Sequence, residues 1–149
     1  MKDNSIPPIL RHKRYDQPSI FIPQKLLREA QRQKATPAGV IPAVCLLDPD
    51  GDLVRRLVAT NQASLNPSWA CYHTHLYDFE YDGLGFGLVG WAVGASFAVL
   101  VAEELFASGC QLLISVTSSG QIRPVAKPPY FVLIDKALRD EGTSTSGRK

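Results

Sequence analysis

Charge of one sign is missing from this chain: 16 basic residues against 14 acidic ones leave a net +2 over 149 residues. A balance so close to neutral does not suit a polyanion or an anionic bilayer, so neither nucleic acid nor membrane is expected as a partner. Long apolar runs are missing as well. No stretch reaches the roughly 18–20 apolar residues of a membrane span without a charge or a glycine, and the opening MKDNSIPP is too polar for a signal peptide. The cytoplasm is the expected compartment. Cysteine is scarce: Cys45, Cys71 and Cys110 show no repeated spacing, and any pairing leaves one over. Reduced, partly buried thiols are expected rather than a disulfide framework. No internal repeat is present. What remains is a 45% apolar chain, long enough for one domain or part of a larger one.

The informative stretch is residues 85–120, GFGLVGWAVGASFAVLVAEELFASGCQLLISVTSSG. Its first apolar run, residues 87–93, lacks alternation and is too short for a helix, so it reads as a strand covered on both faces, with residues 84–93 as its full extent. Gly94 lets the chain turn. Ser96 is placed to cap a helix running to Ser108, and Gly109 to stop it. Phe97, Val101, Ala102, Leu105 and Phe106 fill most of that helix's surface, which predicts a largely buried element. Residues 112–116 are again short and β-rich, so a right-handed crossover to a parallel strand follows. The exit Thr117-Ser118-Ser119-Gly120 gathers hydroxyls beyond a strand's carboxyl end, where open α/β sheets place ligands.

Upstream, residues 1–22 mix proline, charge and scattered apolar residues, which predicts an irregular arm with a short strand at 19–22. Pro23 opens a helix through Gln33, with Leu26, Leu27 and Ala30 at helical spacing. Residues 43–47 form a short buried strand, DPDGD (48–52) a turn, and residues 53–60 a second helix. A strand leading through a glycine turn into a helix can cradle an anion, although the three carboxylates of this turn oppose phosphate. A polar loop fills 61–68. Residues 70–81 are strand-like, and Asp82-Gly83 makes a hairpin turn into residue 84. On a strand, Cys71, His73 and His75 share one face; three ligands from one strand without a fourth donor make a poor zinc site, and no metal is expected. A proline-rich loop (121–129) and a strand at 130–138 follow.

In this order, the motifs resemble the nucleoside phosphorylase family, in its uridine phosphorylase-like branch, over residues 43–144. Asp50-Gly51-Asp52-Leu53-Val54-Arg55 stands where the family carries its PGDPxR turn. Residues 98–105, AVLVAEEL, are similar to the family's helix, and residues 116–122, VTSSGQI, to its GTTGAI or GTAGGL. Residues 137–144, ALRDEGTS, look like a further strand-end motif. The resemblance implies an α/β fold, a three-layer α/β/α sandwich with a mixed, largely parallel sheet, incomplete at its C-terminal side. Its domain part would be residues 23–144, between the arm and a polar tail at 145–149.

The same resemblance implies cleavage of a nucleoside's N-glycosidic bond by inorganic phosphate, the co-substrate, with no other cofactor. Gly51 would lend a backbone N–H, Arg55 its guanidinium, and Thr117 and Ser118 their hydroxyls to phosphate. No catalytic residue is assigned. The partners implied are nucleoside and phosphate, in a homo-oligomer. Some positions depart from the family: its second phosphate arginine is Ser115 here, its subunit-lent arginine falls near Tyr72 or His73, and its N-terminal histidine aligns with residues 19–22. Turnover is therefore expected to be weak or absent; the alternative is a phosphate- or nucleoside-binding or self-assembling protein that does not catalyse.

Overall fold

The computed structural model describes residue 17 and residues 20–138. Most of the expected arm, residues 139–144 of the motif at 137–144, and the tail at 145–149 lie outside the described residues. The elements run α1 (Pro23–Lys34), β1 (Val44–Asp48), α2 (Asp52–Ala59), β2 (Ala63–Leu65), β3 (Tyr77–Tyr81), β4 (Leu84–Gly90), α3 (Ala95–Ala107) and β5 (Leu112–Ser115). The chain is an α/β protein with a five-stranded mixed sheet in the order β2-β3-β4-β1-β5. β1 pairs in parallel with β4 and β5, whereas β2-β3 and β3-β4 are antiparallel.

The three parallel strands hold the core. In β4, Leu88 and Val89 are both fully buried, and they point to opposite faces because side chains alternate along a strand. α2 covers one face. Gly90 makes room for it: a Cβ there would stand 2.9 Å from Val54 Cγ2. On the other face Val101 and Leu105 of α3 join Cys45, Leu47 and Val89 in one apolar cluster, and α1 lies alongside α3. β1 therefore feeds a helix on one face while its neighbour β4 feeds a helix on the other. Between such diverging connections, at the carboxyl ends of the strands, an open sheet has its switch-point crevice.

Several expectations shift. β4 stops at Gly90 rather than at residue 93, because Trp91 takes a left-handed φ of 61° and turns the chain out of the sheet. α3 begins at Ala95, with Gly94 at the N-cap position, two residues ahead of the expected cap at Ser96. It is only half buried. Val99 and Phe106 lie open because sheet and α1 cover one side of it. Residues 70–76 form no strand; pairing begins at Tyr77, and β2 arises inside the loop expected at 61–68. Residues 20–22 carry no strand, and neither do residues 130–138, which lie almost wholly in solvent. No helix among the described residues is long and apolar enough to cross a membrane.

Candidate functional site at the strand ends

The four phosphate-binding candidates meet at the carboxyl ends of β1 and β5. The sequence makes that meeting in two steps. First, Asp48 ends β1 almost completely buried, and its carboxylate accepts the backbone N–H groups of Gly51 at 3.1 Å and Val54 at 3.0 Å. It thereby caps α2 from the strand before it, an arrangement favoured because the first N–H groups of a helix lack partners. The Asp48 carbonyl accepts two more N–H groups, from Gly51 and Trp91, each at 3.0 Å. One residue thus ties together the exits of β1 and β4.

Second, the exit of β5 closes onto the same loop. Asp50 Oδ2 accepts the Ser118 backbone N–H at 2.7 Å and the Thr117 hydroxyl at 3.2 Å. These donors hold the Asp50 carboxyl below its ordinary range, the Ser118 backbone N–H first, then the Ser118 and Thr117 hydroxyls, with the Arg55 charge assisting. Asp50, Thr117 and Ser118 are all exposed, so water competes for the joint and its contribution to stability is small.

Gly51 sits at a φ of 73°, where a side chain would be strained. Its Cα lies under the Trp91 indole; a Cβ built there would stand 2.1 Å from Trp91 Nε1. Its N–H already serves Asp48. Arg55 donates to the Asp50 carbonyl at 3.0 Å and pairs with the Asp52 carboxylate. All four candidates are therefore gathered at one place, and each donor named here is spent on an aspartate of the DPDGD turn. Ser115, at the end of β5, brings no positive charge to them. A cavity of about 380 Å³, lined by Pro42, Gln62, Asp78 and Phe86 among others, opens at the opposite end of the sheet and touches none of the four.

Sequence reasoning missed Asp50 as the anion these donors hold, and Trp91 as the cover over Gly51. The signal for Asp48 was present: a strand-terminal aspartate just ahead of a helix is a capping residue by type. Nothing in the sequence announced the left-handed tryptophan. The reading of Cys71, His73 and His75 as one strand face fails because no strand forms there. The Cys71 sulfur instead accepts the His73 N–H and the Thr74 hydroxyl, each at 3.3 Å, and His73 packs edge-on against Phe97. Among the described residues no group of three or more His, Cys, Asp or Glu could hold a metal.

One further polar group stands out. Glu104 on α3 is 0% exposed, and among the described residues neither carboxyl oxygen has a well-formed hydrogen bond. Its carboxyl acts on the Cys71 thiol, whose pKa is pushed up first by burial and then by Glu104.

The chain matches no protein-family model and no curated protein.

Proposed function

We propose that the chain is a nucleoside phosphorylase-like protein, a three-layer α/β/α sandwich, whose strand ends form an oxyanion site occupied in the ligand-free state by its own Asp50 carboxylate. The observation that carries this reading is the pair of donors on Asp50 Oδ2, the Ser118 N–H at 2.7 Å and the Thr117 hydroxyl at 3.2 Å. A backbone N–H, a hydroxyl and a nearby guanidinium are what a phosphate oxygen requires, and here a carboxylate takes two of them. Phosphate would enter by displacing Asp50, drawing Arg55 from Asp52 as it does so. Gly51 then acts by shape, keeping the turn low beneath Trp91, rather than through its N–H.

The activity such a frame serves is phosphate-dependent cleavage of a nucleoside, with phosphate aimed at the sugar carbon as positive charge develops there. In this chain three aspartates crowd the turn, and Ser115 supplies no charge where a second guanidinium would fork onto phosphate. Binding without appreciable turnover is the reading these residues favour. The test is phosphorolysis of uridine, with inosine beside it, by the purified chain with and without phosphate. Little or no free base is expected. Rapid phosphate-dependent release of uracil or hypoxanthine would show a working enzyme and overturn the non-catalytic reading.

A further inference from the structure

The two edges of the sheet are guarded unequally. β2 is only three residues long and runs into Asn66-Pro67, a short, proline-stopped edge of the kind that resists pairing with other chains. β5 has no such protection. Residues 112–117, LLISVT, contain neither charge nor proline, and Leu112, Ile114 and Val116 are each more than a third exposed. Its inner edge serves β1, through Leu112 N–H to Ala43 and Val116 N–H to Leu47. No strand among the described residues pairs with its outer edge.

The same chain carries an apolar, β-prone segment that pairs with no strand among the described residues. Residues 130–138 read YFVLIDKAL. Phe131 is 100% and Leu133 94% exposed, and Val132 and Ile134 are largely so. A row of β-branched and aromatic residues in this state calls for a sheet edge. Between β5 and this segment, Pro124, Pro128 and Pro129 stiffen and extend the connection, while Thr117 and Ser118 turn the chain's exit inward onto β1's loop. Among the described residues the segment lies unpaired beyond this connection and is not joined to its own β5.

We propose that residues 131–135 of one copy add as a strand to the outer edge of β5 in a second copy, and that the exchange is reciprocal, giving a closed two-fold dimer. Main-chain hydrogen bonds would supply the pairing, and the apolar side chains of the segment would cover Leu112, Ile114 and Val116. The area is sufficient. Two phenylalanines alone bury about 300–500 Å², and six further aliphatic side chains carry the total toward the roughly 1,200–2,000 Å² of a stable interface. Reciprocity pairs both β5 edges and both segments within two copies, so the exchange closes at two. The proposal does not depend on phosphate binding.

The test is the mass of the full 149-residue chain in solution, by sedimentation or light scattering over a range of concentrations. Two variants accompany it: Ile114→Lys on the edge, and Val132→Pro in the segment, which lies outside the core. A dimer is expected, weakened about tenfold or more in dissociation constant by either change. Mixing the two variants should restore heterodimer, because that pair keeps one intact junction while each variant alone keeps none. A wild-type chain that stays monomeric, a dimer indifferent to both changes, or a mixture that shows no recovery would each overturn the proposal. So would a monomer whose residues 131–135 are protected from hydrogen exchange, since the segment would then be pairing within its own copy.

Discussion

β4 and residues 130–138 are both apolar, β-rich stretches of similar length, and by composition each qualifies as a strand. One became a central strand of the sheet, buried from Gly87 to Gly90, and the other lies in solvent. The difference is in what surrounds them. β4 follows directly from β3 through the Asp82-Gly83 turn, whose residues both take left-handed φ values of 51° and 74°, so its antiparallel partner is in place with no loop to close. β1 then pairs with it residue for residue from Val44–Phe86 to Asp48–Gly90. Residues 130–138 sit beyond a proline-rich connection and have no hairpin partner among the described residues. A strand's sequence permits a strand; a neighbouring edge produces one.

The comparison breaks most visibly on a matched pair of truncations. Leu88 is 0% exposed and Leu133 94% exposed. Leu88→Ala should cost about 2–5 kcal/mol, as buried leucines do, while Leu133→Ala in monomeric protein should stay within about 0.5 kcal/mol of wild type. Denaturant melts of both variants measure this, and equal losses would mean that residues 130–138 have a partner in the monomer.

A smaller effect of opposite sign is expected at Glu104, the place in the buried half where burial is unfavourable. A carboxyl held there with neither oxygen in a well-formed hydrogen bond among the described residues costs about 1–3 kcal/mol. Glu104→Met keeps the length of the side chain and removes the polar group, and should raise the melting temperature. A fall instead would show that the Cys71 contact, or another group reaching Glu104, outweighs that cost.

The smallest effect concerns the exposed joint that brings β5's exit to β1. Because the folded-state pKa of Asp50 lies below its ordinary value of 3.8, the joint's contribution is present above about pH 4 and is lost as pH falls through the lowered value. Melting curves of wild type and Asp50→Asn should therefore converge as pH is lowered from about 5 toward 3. A constant gap would mean that the carboxylate is not what holds Thr117 and Ser118.

The elements that sequence revealed best are those whose signals are local. Pro23 opens α1 where expected, the DPDGD turn leads from β1 into α2, and Asp82-Gly83 joins β3 to β4. The parallel arrangement of β4 and β5 followed from two short apolar runs flanking a helix, although β1 lies between them. Residues 70–76 were misread because alternation was judged without a partner; Trp69 and Cys71 are buried there in an irregular segment whose polar contacts run through Thr74. The candidate site was legible as a set of residues and not as a set of bonds. Gly51, Arg55, Thr117 and Ser118 do converge, but the aspartates among which they share their donors alternate at positions 48, 50 and 52, and only the three-dimensional path of the turn decides which of them meets which donor.

The most direct measurement is calorimetric titration of inorganic phosphate into wild type, Asp50→Asn, and Asp50→Asn combined with Arg55→Ala. If Asp50 stands in an oxyanion site, removing its charge should tighten phosphate binding, about tenfold at most, since a like charge at hydrogen-bonding distance opposes the incoming anion and solvent screens that repulsion. Loss of the guanidinium should then abolish the gain. Phosphate binding that is absent from all three proteins, or equal in wild type and Asp50→Asn, would contradict the assignment of the strand ends as an oxyanion site.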